Sequence, residues 1–384
     1  MLQQETVISL FSKQINKRIL ISLAKLISDK RIKNYIQEIF PYFKNCFYFT
    51  KNKFYSFMKP KIAFVTGGYS GEAEISYQSA KTIEKNIDPD KFDSYKIDIT
   101  PQGWFYIHGD EKIDVDKNDF SITVSGEKIQ FDAVLIGIHG TPGEDGKLQG
   151  YFDILNLPYT SCDCASSALT FNKRYTVAVA SFAGIKVAKS ILLFKSNFKN
   201  ENEIVENLKF PVFVKPNNGG SSIGMSKVNS PSEELGPAIE KAFKEDEQVL
   251  VEEFIKGREF TIGVFQSKGT IIALPITEVI SKKDFFDYEA KYHGASEEIT
   301  PAKVDQSIAQ QIKSQAIKIY QIFNCRGIVR IDFIYNEEEG QPYMLEINTV
   351  PGQTAASLVP QQVVAMGWSL MDFYTALIEE SLPV

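Results

Sequence analysis

Residues 343–352 read YMLEINTVPG. Successive side chains of a strand point to opposite faces, so this run sets Glu346 and Asn348 on one face and Leu345 and Ile347 on the other. The run before it, Gly327–Tyr335 (GIVRIDFIY), alternates in the same way, with Arg330 and Asp332 on one face and Ile331 and Phe333 behind. NEEEGQ separates the two runs, and an antiparallel hairpin is the natural reading. A turn centred near Glu339 places Asp332 opposite Glu346 and Arg330 opposite Asn348. Facing carboxylates repel unless something positive lies between them. A hard cation such as Mg2+, which takes carboxylate, amide and phosphate oxygens, is the expected filler; a plain solvated hairpin face is the alternative.

Outward from the hairpin, Val212–Lys215 reads as a strand that ends in NNGGSSIG (residues 217–224). Successive amides of such a loop can surround a phosphate, and Ser221 and Ser222 add hydroxyl donors. Lys215 precedes the glycines instead of following them as in GxxxxGKS, so a nucleotide fold other than the P-loop type is expected. Glycine loop, strand-associated lysines and paired carboxylates together suggest phosphoryl transfer, which chiefly needs charge neutralised around the transferred group.

Nearer the N-terminus, Lys61–Thr66 is a short apolar strand running into GGYSGEAEIS, with Ser70 as the expected N-cap of a helix reaching Ile87. Phe131–Ile138 is a second strand, ending in HGTPGEDG. Strands that end in polar glycine loops are how α/β domains present ligand groups. A helix over Ala165–Phe182 leads into the next region, and another covers Asp305–Phe323. The expected division is a basic, aromatic extension over 1–57, an α/β domain over 58–160, a central domain over 161–270 and a C-terminal domain over 271–384.

The first 57 residues carry ten Lys or Arg against three Asp or Glu, eleven Phe or Tyr, no Gly and one Pro, whereas the remainder carries 32 basic against 45 acidic residues. An amphipathic helix over Ser9–Phe40 could touch an anionic membrane or a partner. The blander expectation is that Met58 is the working start. No run approaches the apolar length of a membrane span, so no stable insertion is expected. The net charge of −6 argues against a general nucleic-acid surface. Cys46, Cys162, Cys164 and Cys325 form neither a dense disulfide framework nor a CxxC pair, which favours a reducing compartment.

Eight stretches in order, GGYSGEAEIS, HGTPGEDGKLQG, LPYT, KPNNGGSSIGMSKV, EEFIKGREFT, DYEAKY, GIVRIDF and LEINTVPG, followed by SLVP, resemble the D-alanine–D-alanine ligases of the ATP-grasp superfamily. The resemblance runs from Lys61 to about Pro360. It implies a three-domain ATP-grasp ligase, mixing α/β and α+β parts, with ATP between the central and C-terminal domains. It further implies two Mg2+ (or Mn2+) ions, D-alanine as substrate, a homodimer and cytoplasmic peptidoglycan-precursor synthesis.

Residue by residue, the resemblance assigns Glu72 to the first D-alanine's ammonium and His139 to that substrate's vicinity. Lys173 and Lys215 fall on the ATP phosphates, Lys291 near the γ-phosphate, Glu252 at the adenine amino group and Glu259 at the ribose. Ser221 and Tyr292 link to Glu72 and help close the site. Asp332, Glu346 and Asn348 match the metal ligands. Arg330 and the backbone N–H of Gly352 match the oxyanion donors, and Ser357 and Leu358 the region of the second D-alanine's carboxylate. Tyr292 resembles the dipeptide-making members rather than those that make the D-lactate ester. Ala73, Ser161 and Glu253 depart from common family residues without touching an assigned position. Alternatives are an ATP-grasp ligase for a different amino acid, or a nucleotide-binding scaffold without turnover.

Overall fold

Strand β1 (Lys61–Gly67) is buried from Ile62 onward, the near-continuous apolar pattern of a strand covered on both faces. It runs through a glycine turn into helix α1 (Ala73–Asn86), which returns the chain to β2 (Asp93–Thr100), parallel to β1. Ser70 is not the N-cap. Glu72 holds that position without a side-chain cap bond, and the Ser70 hydroxyl instead accepts the Glu72 N–H at 3.2 Å. The computed structural model describes residues 59–220, 223–231, 233–281 and 296–383. The extension over 1–57 and the residues Ser221, Lys291 and Tyr292 lie outside them.

A meander follows β2: β3 (Gly103–His108), β4 (Glu111–Asp116), β5 (Ser121–Val124) and β6 (Glu127–Ile129). With β7 (Ala133–Ile136), parallel to β1 on its other side, they complete a seven-stranded sheet in the order β6-β5-β4-β3-β2-β1-β7. Helix α2 (Lys147–Leu155) follows the HGTPGEDG loop. The helix expected over Ala165–Phe182 is two: α3 (Cys164–Phe171) and α4 (Lys173–Phe182). Asn172 breaks them with φ −95° and ψ 107°, and its side chain accepts the Tyr175 N–H. An Asn that caps a new helix competes with continuing the old one.

A second, wholly antiparallel sheet has the order β10-β9-β11-β8, from β8 (Ser190–Phe194), β9 (Val212–Pro216), β10 (Ser226–Val228) and β11 (Gln248–Glu253), with helices α5 (Asn202–Asn207) and α6 (Leu235–Ala242). Val212, Val214, Val249 and Val251 pack with Leu235, Ile239 and Ala242 of α6. Period two then leaves Phe213, Lys215 and Glu252 on the opposite face.

The third sheet holds β12 (Arg258–Ser267), β13 (Thr270–Ala273), β14 (Thr277–Ser281), β15 (Ser296–Ile299), β16 (Val329–Asn336) and β17 (Gln341–Asn348). Helix α7 (Gln306–Ile322) buries Ile312, Ala316, Ile319 and Tyr320 against it, a one-sided helical stripe. After α8 (Leu358–Ala365), helix α9 (Leu370–Ser381) sets Phe373, Tyr374, Leu377 and Ile378 in one cluster with Ile62, Phe64 and Ile83 of the first sheet region and Phe265 of the third. The C-terminal helix thereby packs against both the first sheet region and the third sheet.

Candidate active site

The hairpin β16–β17 has the expected register: Asp332 pairs with Glu346 and Arg330 with Asn348. Leu345 does not pack behind the strand as strict alternation requires. The register shifts beside Asp332, so Phe333 faces Met344, and it is Met344 that enters the core. One extra residue in β17 is a bulge, which re-aims neighbouring side chains. Glu346 and Asn348 thus share a face with Asp332, while Ile347 stays buried.

Part of the positive charge between the carboxylates comes from the protein itself. Arg330 grips Asp332 side-on, Nε to Oδ1 at 2.9 Å and Nη2 to Oδ2 at 2.8 Å, and its Nη2 lies 3.9 Å from Glu346 Oε1. Burial alone would lower the Arg330 pKa, but Asp332, with Glu346 and Glu144, outweighs it and raises the pKa above the ordinary guanidinium value. Thr261 Oγ1 also donates to Asp332 Oδ1 at 2.5 Å, from the paired position on β12. Glu259, two residues earlier on β12, shares that sheet face.

Asp332, Glu346 and Asn348 form an oxygen-only donor set of the kind a hard divalent cation takes. Asn348 now turns Nδ2 to both carboxylates, at 3.3 and 3.4 Å, and its amide would present Oδ1 to a cation after rotation. Among the described residues no group of three or more His, Cys, Asp or Glu is placed to hold a metal. The set fits only with the amide counted as a ligand.

The glycine loops converge on Glu72. A side chain at Gly220 would put its Cβ 2.6 Å from Glu72 Oε1, and one at Gly140 would strike Oε2, so the carboxylate lies between the two loops. Lys173, the first residue of α4, donates from Nζ to Gly219 O at 2.7 Å. The break at Asn172 is what brings this lysine to the loop. On the second sheet Lys215 Nζ forms an ion pair with Glu252 Oε2 across β9 and β11.

His139 is buried, and both ring nitrogens are engaged within the protein: Nδ1 with Val350 O at 2.7 Å and Nε2 with Ser79 Oγ at 2.9 Å. Burial, with Arg330 adding to it, pushes its pKa down to about 4 against the Val350 bond. Glu144, which the sequence reading passed over, accepts the Gly140 N–H at 3.1 Å and the Val350 N–H at 3.3 Å. Burial, reinforced by Glu72, pushes its carboxyl up to about 7 despite the two amides and Arg330. The signal was in the motif: a glutamate inside a glycine loop has few places to put its charge. Gly352 stands beyond Val350, where a Cβ would come within 2.9 Å of Ser357 Oγ. Ser357 is the N-cap residue of α8, bonded through its hydroxyl to Thr354, and Leu358 begins the helix.

Models of the D-ala D-ala ligase N-terminus and C-terminus match residues 61–162 and 179–379. The chain is 48% identical over 322 residues to the D-alanine–D-alanine ligase of Flavobacterium johnsoniae, covering 84% of this chain and 99% of the relative. It is 45% identical to that of Phocaeicola vulgatus over 84% of this chain and 99% of the relative. Among solved structures, the VanG D-Ala:D-Ser ligase from Enterococcus faecalis matches with a TM-score of 0.76 and 34% identity, over 84% of this chain and 99% of that one. The ATP complex of the Bacillus anthracis D-alanine–D-alanine ligase matches with a TM-score of 0.67 and 27% identity, over 84% and 97% of the two chains. The eight ordered motifs, the three sheets and both halves of the family therefore meet in one chain, which belongs to the D-alanine–D-alanine ligase family of the ATP-grasp superfamily.

Proposed function

We propose that the protein joins two D-alanines into D-alanyl-D-alanine for peptidoglycan synthesis, at the expense of ATP. A carboxylate oxygen of the first D-alanine attacks the γ-phosphorus, ADP leaves, and D-alanyl phosphate remains. The amine of the second attacks the acyl carbon, loses a proton, and the tetrahedral oxyanion collapses with release of phosphate. The observation that carries this reading is the lodging of the Glu72 carboxylate against Gly140 and Gly220, beside Gly219, which Lys173 holds. An anion suited to an α-ammonium thus adjoins a loop suited to phosphate.

In this reading Lys173, Lys215 and Lys291 offset triphosphate charge, Glu252 and Glu259 hold the nucleoside, and Ser221 and Tyr292 close the site over Glu72. Arg330 and the Gly352 N–H stabilise the oxyanion, where preorganised donors act most strongly. Ser357 and Leu358 border the second carboxylate, and His139 serves the first substrate through the loop it holds. Asp332, Glu346 and Asn348 would hold two Mg2+ or Mn2+, which when bound neutralise phosphate charge. Three domains divided near residues 160 and 270, a homodimer and a cytoplasmic setting complete the proposal. No helix among the described residues is long and apolar enough to cross a membrane.

The test is ADP release with Mg-ATP and D-alanine, run beside L-alanine, D-alanine with D-serine and D-alanine with D-lactate, with products identified by mass. D-alanine-dependent turnover yielding the dipeptide supports the proposal. Folded, ATP-binding protein without such turnover refutes it and withdraws the roles of Glu72, Ser221 and Tyr292 first.

A further inference from the structure

The turn Val350–Gln353, which leads from the hairpin to α8, is gripped by side chains of the first sheet's region. Both backbone polar groups of Val350 are taken: its C=O by His139 Nδ1 at 2.7 Å and its N–H by Glu144 Oε1 at 3.3 Å. Three residues on, the Gln353 N–H donates to Ser79 Oγ at 3.2 Å. A carbonyl only accepts, so the Val350 bond fixes the imidazole proton on Nδ1 and leaves Nε2 as an acceptor. Ser79 must then donate its proton to His139, at 2.9 Å, and offer a lone pair to Gln353. The chain Gln353 N–H to Ser79 to His139 to Val350 C=O runs in one direction and closes on both ends of the turn. The Gln353 side chain continues it, with Nε2 donating to Pro351 O at 3.2 Å and Oε1 accepting the Tyr374 hydroxyl of α9 at 2.9 Å. Ser79, His139, Gln353 and Tyr374 are all buried, so each bond lacks competition from water.

Gly352 lies inside this closed ring of bonds. We propose that Ser79 is a positioning residue for the ligation half of the reaction, its hydroxyl holding the turn so that the Gly352 N–H meets the developing oxyanion. The proposal rests on the ligase reading above and on Gly352 as an oxyanion donor. Such a donor works only within hydrogen-bond reach of the place where charge develops. A displacement of about 1 Å can cost on the order of a hundredfold in rate. Acyl phosphate formation precedes the tetrahedral oxyanion, so loosening the turn slows the second half-reaction selectively. Glu144 and His139 act on the same turn, but they also stand beside Glu72 and Arg330, which makes Ser79 the cleaner handle.

The experiment compares full-length wild type, Ser79→Ala and Tyr374→Phe, each with Mg-ATP and D-alanine. One set of reactions measures dipeptide. The other contains hydroxylamine, raised until the hydroxamate rate no longer depends on its concentration, so that capture of D-alanyl phosphate as the hydroxamate, with release of phosphate, reports acyl phosphate formation rather than the attack on it. For Ser79→Ala we expect dipeptide formation to fall about tenfold with hydroxamate formation within about twofold of wild type and the ATP KM unchanged. Tyr374→Phe, one bond further out, should show the same split at about threefold, and decides the matter if Ser79→Ala does not fold. Equal loss of both products, or no loss of either, would overturn the proposal, as would failure of both variants to fold, which would assign these bonds to stability. Wild type that forms no D-alanine-dependent hydroxamate would remove the ligase reading itself, and this one with it.

Discussion

Arg330 and Asp332 stand two residues apart on β16 and bind each other through two parallel hydrogen bonds, 2.9 and 2.8 Å long. Their side chains are 18% and 13% exposed, so the pair is little screened. Asp332→Asn keeps the shape but leaves the buried guanidinium with Glu346 as its nearest carboxylate. We expect turnover to fall by at least about a hundredfold. Stability should drop by about 3 kcal/mol, the usual cost of removing one partner of a buried pair. Coupled ADP release and urea unfolding measure the two effects; an unchanged rate in folded protein refutes the role of Asp332 in catalysis.

Gly220→Ala tests the lodging of Glu72. The added Cβ would lie 2.6 Å from Glu72 Oε1, and Gly220 is not among the positive-φ glycines, so the backbone tolerates alanine while the carboxylate must move. The KM for the first D-alanine should rise roughly tenfold, equivalent to about 1.4 kcal/mol of lost binding, with the ATP KM unchanged. A larger effect on ATP than on D-alanine would assign the glycine to phosphate approach instead.

The hairpin was legible because period two and one turn fix a register, which pairs Arg330 with Asn348 and Asp332 with Glu346 from the sequence alone. The bulge at Leu345 was not legible, since an extra residue leaves no mark on an apolar run such as YMLEI. The break at Asn172 was missed for a related reason: the apolar periodicity of Ala165–Phe182 continues through it, and only the capping chemistry of Asn172 marks the stop. His139 and Glu144 fall into a third class. Their motif was recognisable, but their partner is the backbone of Val350, more than 200 residues away in sequence, and main-chain groups carry no sequence signal.

Asn172→Ala should destabilise the protein by about 1 kcal/mol through loss of the helix cap. The same change loosens the start of α4, and with it the Lys173 bond to Gly219. A several-fold rise in the KM for ATP, with that for D-alanine held, is the expected kinetic trace, read by varying each substrate separately. Lost stability with unaltered ATP kinetics would detach the cap from the function of Lys173.

Removing residues 1–57, so that the chain starts at Met58, should leave ligase turnover within about twofold of the full chain, a change near the thermal energy scale. The family models begin at Lys61, and the hydrophobic clusters among the described residues draw on Ile62 and later positions. D-alanine-dependent ADP release from both proteins is the check. A folded but inactive truncation would make the extension part of the enzyme.

Glu144 and His139 set opposite pH dependences on stability. The Glu144 carboxyl rises from 4.5 to about 7 on folding, so the stabilisation it brings is complete below about pH 4.5 and is lost as pH climbs toward 7. The His139 imidazole falls from 6.5 to about 4, so its stabilisation is complete above 6.5 and is lost as pH drops toward 4. Between about pH 4.5 and 6.5 the two slopes cancel in the wild type. Glu144→Gln removes one slope and leaves the other. Urea melts of that variant should therefore show stability falling by about 3 kcal/mol, relative to wild type, as pH is lowered across this window. His139→Asn should show the reverse trend. Parallel pH profiles for wild type and Glu144→Gln would mean that the buried carboxyl takes up no proton on folding, and would refute the upward shift that burial and Glu72 impose on it.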